Sequence, residues 1–150
     1  MLAAMSEPEP ACPLCAPRPE DSPNWLKVAA LSASTLYLDR NQTYRGHCQL
    51  VFDRRHVEGL EYLAAEEHDA MMGDLRRAAR AIVAAVQPVR MNYCSLGNVA
   101  PHLHWHLVPR YRSDPRWGSP IYTTDVSQMR VTRLEEPALR ALAATLARCL

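Results

Sequence analysis

Apolar positions recur along this chain with two periods. Between Ala65 and Gln87 the residues Met72, Leu75, Ala79, Ile82, Val83 and Val86 recur at spacings of three and four, while Asp74, Arg76, Arg77 and Arg80 fall largely elsewhere. That is the repeat of a helix with one buried face, and Pro88 directly after it cannot continue the helix. A second helix is expected over residues 134–150, which are rich in Ala and Leu at helical spacing. The other segments are short, β-branched or aromatic, and read as strands: 25–31 and 35–39, broken by Ser32 and Ser34 as a hairpin would be, then 47–52 after the turn-rich stretch 41–46. Residues 89–96 give a fourth strand, 97–101 break it, and 102–108 give a fifth in which His102, His104 and His106 alternate with Leu103, Trp105 and Leu107. Strand, strand, strand, helix, strand, strand, helix predicts an α+β fold: an antiparallel sheet of about five strands with one long central helix and a C-terminal helix. Residues 1–24 hold six of the twelve prolines, which prevents regular structure. They are expected to form an irregular lead-in, with 25–150 as a single domain.

Charge narrows the class of partner. With 17 basic and 16 acidic side chains the formal net charge is +1, so no global field draws the protein to nucleic acid or an anionic membrane, and stable binding to either is not expected. The first ten residues, MLAAMSEPEP, have neither a basic leader nor an apolar stretch, and nothing approaches the roughly 18 apolar residues of a membrane span. A cytoplasmic location is the expectation. The five cysteines, Cys12, Cys15, Cys48, Cys94 and Cys149, are an odd number in a chain with no export signal, which argues against a disulfide framework. Cys12-Pro13-Leu14-Cys15 instead has the spacing at which two thiolates share one tetrahedral metal ion. A redox pair would want a helix N-terminus behind it, against which Pro13, Pro17 and Pro19 argue, and simple packing cysteines are the plain alternative.

Three histidines at i, i+2 and i+4 of a strand share one face, with alternate Cα atoms roughly 6.5 to 7 Å apart. The arrangement suits imidazoles converging on a catalytic metal, or one imidazole acting as nucleophile while its neighbours hold phosphate oxygens. It also occurs on a surface strand with no such duty. Periodicity does not choose among these.

The run His102-Leu103-His104-Trp105-His106-Leu107-Val108, followed by Pro109-Arg110-Tyr111, resembles the signature of the histidine triad (HIT) superfamily. Upstream, Leu36-Tyr37-Leu38-Asp39, Arg45-Gly46-His47-Cys48-Gln49-Leu50-Val51-Phe52 and Arg54-Arg55-His56 look like the nucleotide-binding hairpin of the same family, so the resemblance spans about residues 25 to 112. It implies a nucleotide hydrolase or nucleotidyl transferase, acting at the α-phosphate of a dinucleoside polyphosphate, nucleoside phosphoramidate or similar conjugate. His104 would be the nucleophile and would form a covalent nucleotidyl intermediate that water releases, with no cofactor needed for the chemistry. An imidazole with a pKa near 6.5 is largely neutral at pH 7 and can attack directly if its other nitrogen is held. By the same resemblance His106 contacts the phosphate and helps the departing group, and His47 faces that phosphate from the next strand. Asp39 would take the ribose hydroxyls, although it also reads as a turn-initiating residue. Asn92 and Asn98 would supply amides, whereas Val99 stands where the family carries a hydroxyl, in a loop about one residue shorter than usual.

Some members of the family with a C-x-x-C complete a zinc site from a histidine after the second hairpin strand and the first of the triad. Here that gives Cys12, Cys15, His56 and His102, a closed Cys2His2 set and hence a structural zinc. The family is commonly homodimeric, and the stripe from Met72 to Val86 offers a surface for a second copy. Arg110, Arg112 and Arg116 are candidates for outer phosphates, or form a solvated basic loop. Two other functions stay open at this point: a non-enzymatic nucleotide-binding or scaffold protein, and an enzyme whose three histidines ligate a metal.

Overall fold

The computed structural model describes residues 12–114, 116–122 and 129–150; the first eleven residues of the expected lead-in lie outside them. Its strands are β1 (Trp25–Ala30), β2 (Ser34–Asp39), β3 (Cys48–Phe52), β4 (Arg90–Cys94) and β5 (His104–Arg110), and its helices α1 (Ala65–Val86) and α2 (Glu136–Cys149). All pairings are antiparallel in the order β1-β2-β3-β5-β4. The expected α+β architecture is therefore the observed one, with element ends shifted by a residue or two. The fifth strand is displaced as a whole by two residues, beginning at His104 and not His102.

Side-chain alternation divides the sheet into two unlike faces. Leu36, Leu38, Cys48, Leu50, Phe52 and Leu107 point to one face and form the main core with α1 and α2. The opposite face carries Tyr37 and Val51, over which Leu14 packs. Residues 12–24 thus have no helix or strand of their own, yet they are tied down. The Arg18 guanidinium donates to Asp53, to the Tyr37 hydroxyl (3.0 Å) and to the Leu14 carbonyl (2.5 Å).

The long helix departs from its expected face in an instructive way. Met71, Asp74, Leu75, Ala78 and Ile82 are buried, whereas Met72 and Val83 of the anticipated stripe are exposed. Asp74 is buried because the β1–β2 turn presents donors to it: Oδ1 accepts from the Ser32 N–H and hydroxyl, Oδ2 from the Ala33 N–H and the Ser34 hydroxyl, at 2.7 to 3.1 Å. A fully hydrogen-bonded carboxylate meets the condition for burial. At the start of the helix Glu67 accepts from the Ala64 N–H (3.0 Å) and pairs with Arg55. At its end Gln87 turns left-handed (φ 48°) ahead of Pro88. Among the described residues no helix is long and apolar enough to cross a membrane.

Candidate active site and metal centre

β5 runs between β3 and β4, so His104 and His106 look out of the middle of the sheet on the face away from the helices. The His104 Nδ1 lies 2.6 Å from the His102 carbonyl oxygen. A carbonyl can only accept, so Nδ1 carries the proton and Nε2 keeps its lone pair. His106 Nδ1 is 3.2 Å from His47 Nε2. Burial pushes the His47 imidazole down to about 4. Burial first, and then the neighbouring His47 and His104, push His106 down to about 3. Both rings are neutral near pH 7.

The loop between β2 and β3 is built to deliver Asp39 and His47 to this spot. The buried Gln42 side chain donates to the Asp39 carbonyl (2.5 Å) and the His47 carbonyl (3.1 Å), and accepts from the Gly46 N–H (2.7 Å). Gly46 has φ +90°, and a Cβ there would stand 2.9 Å from Val86, so glycine lets the chain turn into β3 close against α1. The Asp39 carboxylate accepts from the Asn41 N–H and from Gln49 Nε2, both at 2.7 Å. Burial raises its pKa, opposed by those hydrogen bonds. Two cavities meet here, one of 600 Å3 reaching His104, Asn98 and Trp25, and one of 310 Å3 reaching His47, Tyr44 and Arg116. Asp39, Asn41, His106 and Tyr122 line both.

The second cluster lies at the start of β5. His102 Nε2 donates to the Phe52 carbonyl (2.7 Å), which leaves Nδ1 unprotonated. That Nδ1 is 3.6 Å from Cys12 Sγ and 3.7 Å from Cys15 Sγ, and His56 Nδ1 is 3.5 Å from Cys15 Sγ. A sulfur and a nitrogen bound tetrahedrally to one zinc, at about 2.3 and 2.0 to 2.1 Å, stand about 3.6 Å apart. The four donor atoms, all within 4.8 Å of one another, therefore have the size and chemistry of a Cys2His2 zinc site. None of the five cysteines forms a disulfide.

The model of the HIT domain matches residues 26–113, more than half of the chain. The chain belongs to the HIT family. Solved structures agree on the fold. A histidine triad protein from Sinorhizobium meliloti 1021 superposes with a TM-score of 0.76 at 20% identity, covering 85% of this chain and 90% of that one. A histidine triad protein from Bradyrhizobium japonicum gives 0.75 at 21%, covering 83% and 90%. A histidine triad family protein from Mycobacterium smegmatis, described as zinc-bound, gives 0.59 at 24%, covering 85% and 87%. A search of curated proteins found no match.

Within this HIT domain the anticipated residues divide. Asp39, His47, Asn98, His104 and His106 line the two joined cavities. Cys12, Cys15, His56 and His102 form the separate cluster. Asn92 is not brought to the cavities: its Oδ1 accepts from Arg110 Nη1 at 2.6 Å. Arg110 is neither a solvated residue nor placed to meet a phosphate. It is 2% exposed and donates to Asp114, Asn92 and the carbonyls of Ser119 and Arg116. The three histidines do not converge on one ion, because His102 turns its Nδ1 to the thiols and gives its Nε2–H to the Phe52 carbonyl. Alternation sets the side of the sheet, but rings nearly 7 Å apart at Cα are free to take different partners.

Two site residues were missed. Gln49 holds Asp39 and pairs across the sheet with His106; a polar residue at the centre of a strand between Cys48 and Leu50 was a visible signal. Tyr122 packs edge-on against His106 at 5.3 Å between centroids. It comes from a loop whose path no local pattern indicates.

Proposed function

We propose that this HIT protein is a nucleotide hydrolase or nucleotidyl transferase acting at the α-phosphate of a dinucleoside polyphosphate, nucleoside phosphoramidate or similar conjugate. The observation that carries the reading is the 2.6 Å hydrogen bond from His104 Nδ1 to the His102 carbonyl, which leaves the Nε2 lone pair for attack. Nε2 bonds to phosphorus as the bond to the leaving group breaks and its electron pair departs with that group. Water then attacks the same phosphorus, the P–N bond breaks, and the imidazole is restored. If His47 Nε2–H donates to His106 Nδ1, His106 presents Nε2–H to a phosphate oxygen. A ring whose pKa burial has depressed serves better as such a fixed donor than as a proton source. Asp39, held by Gln49 and Asn41, has lone pairs left for ribose hydroxyls.

The test is release of nucleoside monophosphate from diadenosine tetraphosphate and adenosine 5′-phosphoramidate. His104→Ala should reduce it by at least about a thousandfold with an unchanged circular dichroism spectrum. An undiminished rate would remove the nucleophile. A second reading is favoured by Val99, which is 99% exposed and has no hydroxyl to offer a leaving group: nucleotide binding without turnover, recognised by tight binding and no product from either substrate.

Zinc on Cys12, Cys15, His56 and His102 would be structural, since four protein ligands leave no position for water. Its contribution would be to fasten the lead-in to the head of β5, and the zinc-bound relative supports it. A second copy of the chain is the proposed partner at the exposed flank of α1. There Met72, Val83, Tyr93 and Trp105 border an apolar groove of 720 Å3, and the Trp105 indole N–H has no partner among the described residues. Beside it, among the described residues, β4 has only β5 for a neighbour, and a two-fold axis would cover groove and open strand edge together.

A further inference from the structure

Three strands bring one further set of donors together. Asp39 ends β2, His47 directly precedes β3, and His106 sits in β5; their ligand atoms all lie within 4.8 Å of one another. The two imidazole nitrogens, His47 Nε2 and His106 Nδ1, are 3.2 Å apart. Nitrogens in adjacent positions around one ion, each at about 2.0 to 2.1 Å, stand about 3.0 Å apart in an octahedral site and about 3.4 Å apart in a tetrahedral one. The observed separation lies between those limits. The carboxylate is already braced by Gln49 Nε2 and the Asn41 N–H, the kind of outer support that orients a ligating group, and each oxygen keeps a lone pair. Open space adjoins the cluster in both cavities, so positions not filled by protein can take water.

We propose that Asp39, His47 and His106 form a second, exchangeable metal site for a late first-row divalent cation, and that the bound ion excludes the substrate phosphate. Two imidazoles and one carboxylate suit Zn2+, Ni2+, Co2+ or Fe2+, and do not suit Mg2+ or Ca2+, which prefer all-oxygen sets. The site runs across neighbouring strands, where side chains approach to bonding distance, and not along β5. It differs from the cluster at Cys12 in having no thiolate, so its ion should exchange while the other stays. For binding, His47 carries its proton on Nδ1 and His106 on Nε2, each a neutral tautomer. The ion then occupies the His47 and His106 nitrogens that face each other and stands where phosphate oxygens would go. The exclusion rests on the proposed α-phosphate chemistry; the binding does not.

The experiment is calorimetric titration of Ni2+ into full-length protein whose zinc content has been measured, at pH 7.5 without substrate. One further equivalent should bind in the micromolar range, and Mg2+ should not compete for it. His47→Gln and His106→Gln should each weaken it by at least about tenfold, while zinc content and melting temperature stay as in the wild type. No further equivalent below millimolar concentration, or an affinity unchanged from the wild type in either variant, overturns the site. If the variants fail to fold, Co2+ added to the wild type should produce hyperfine-shifted ring N–H resonances from two histidines, without thiolate-to-cobalt absorption; their absence overturns it equally. In a second arm, saturating Ni2+ should reduce nucleoside monophosphate release at least tenfold, and an unchanged rate overturns the exclusion. A protein with no turnover that still binds Ni2+ would refute the proposed function and leave the metal site standing.

Discussion

Three histidines of one motif meet three environments. His102 has its Nε2–H tied to Phe52 and its Nδ1 on two thiols, His104 has its Nδ1–H tied to a carbonyl, and His106 faces His47. Neutrality of the buried pair has a consequence for stability. The unfolded chain protonates His47 near pH 6.5, whereas the folded chain does so only near 4. Over that interval the unfolded state binds more protons, so stability falls as pH falls from about 6.5 to 4, and this group takes away nothing further below that. Between pH 6.5 and 5 the loss amounts to about 1.5 kcal/mol from His47. Urea unfolding at the two pH values should show His47→Gln losing less than the wild type by about that amount; parallel losses would mean the ring is not held neutral. His106, depressed in the same direction by burial, steepens the same slope in the wild type.

At the scale of elements, two attachments hold parts that propensity alone would leave loose. The irregular lead-in is fastened by Arg18 to Asp53 and Tyr37, and by its two cysteines to His56 and His102. Cys12→Ser should abolish stoichiometric zinc by elemental analysis and lower the melting temperature by roughly 5 to 10 °C. Zinc retained in full would show that the thiol is no ligand. The second attachment is Asp74, which joins α1 to the β1–β2 turn through four hydrogen bonds. Asp74→Ala strands those donors and should cost about 2 to 4 kcal/mol in urea unfolding; a loss under about 0.5 kcal/mol, typical of a surface site, would show the cage to be dispensable. Helical periodicity had placed Asp74 off the buried stripe. It could not register that a turn forty residues upstream supplies the donors that make its burial tolerable.

Over the whole molecule, the helices cover one face of the sheet, while His104, His106 and the lead-in lie on the other. The outer flank of α1 is left bare beside the open edge of β4, with Val83 45% exposed. Light scattering coupled to size exclusion should give a dimer for the wild type and a monomer for Val83→Glu, because a buried carboxylate without a partner opposes association. A monomeric wild type would dismiss the second copy as occupant of the groove. Nucleotide turnover measured on both samples would also reveal whether the site works within one chain.

The sequence by itself determined the elements and their order, since the 3.6 and 2 residue periods are local consequences of backbone geometry and every strand and helix has enough residues to display one. It also marked out His104 and His106, because alternation in a strand commits a residue to one face. Tertiary structure alone decided which imidazole nitrogen is free, that Asn92 and Arg110 are spent on each other, and that the Asp39 carboxylate converges with His47 and His106; the departure of His102 to the cysteines, implied by the resemblance, became a set of distances only in the fold. Each of those outcomes depends on hydrogen bonds or packing between segments distant in the chain. A local period reports the side to which a residue points; the partner waiting there is set by the rest of the fold.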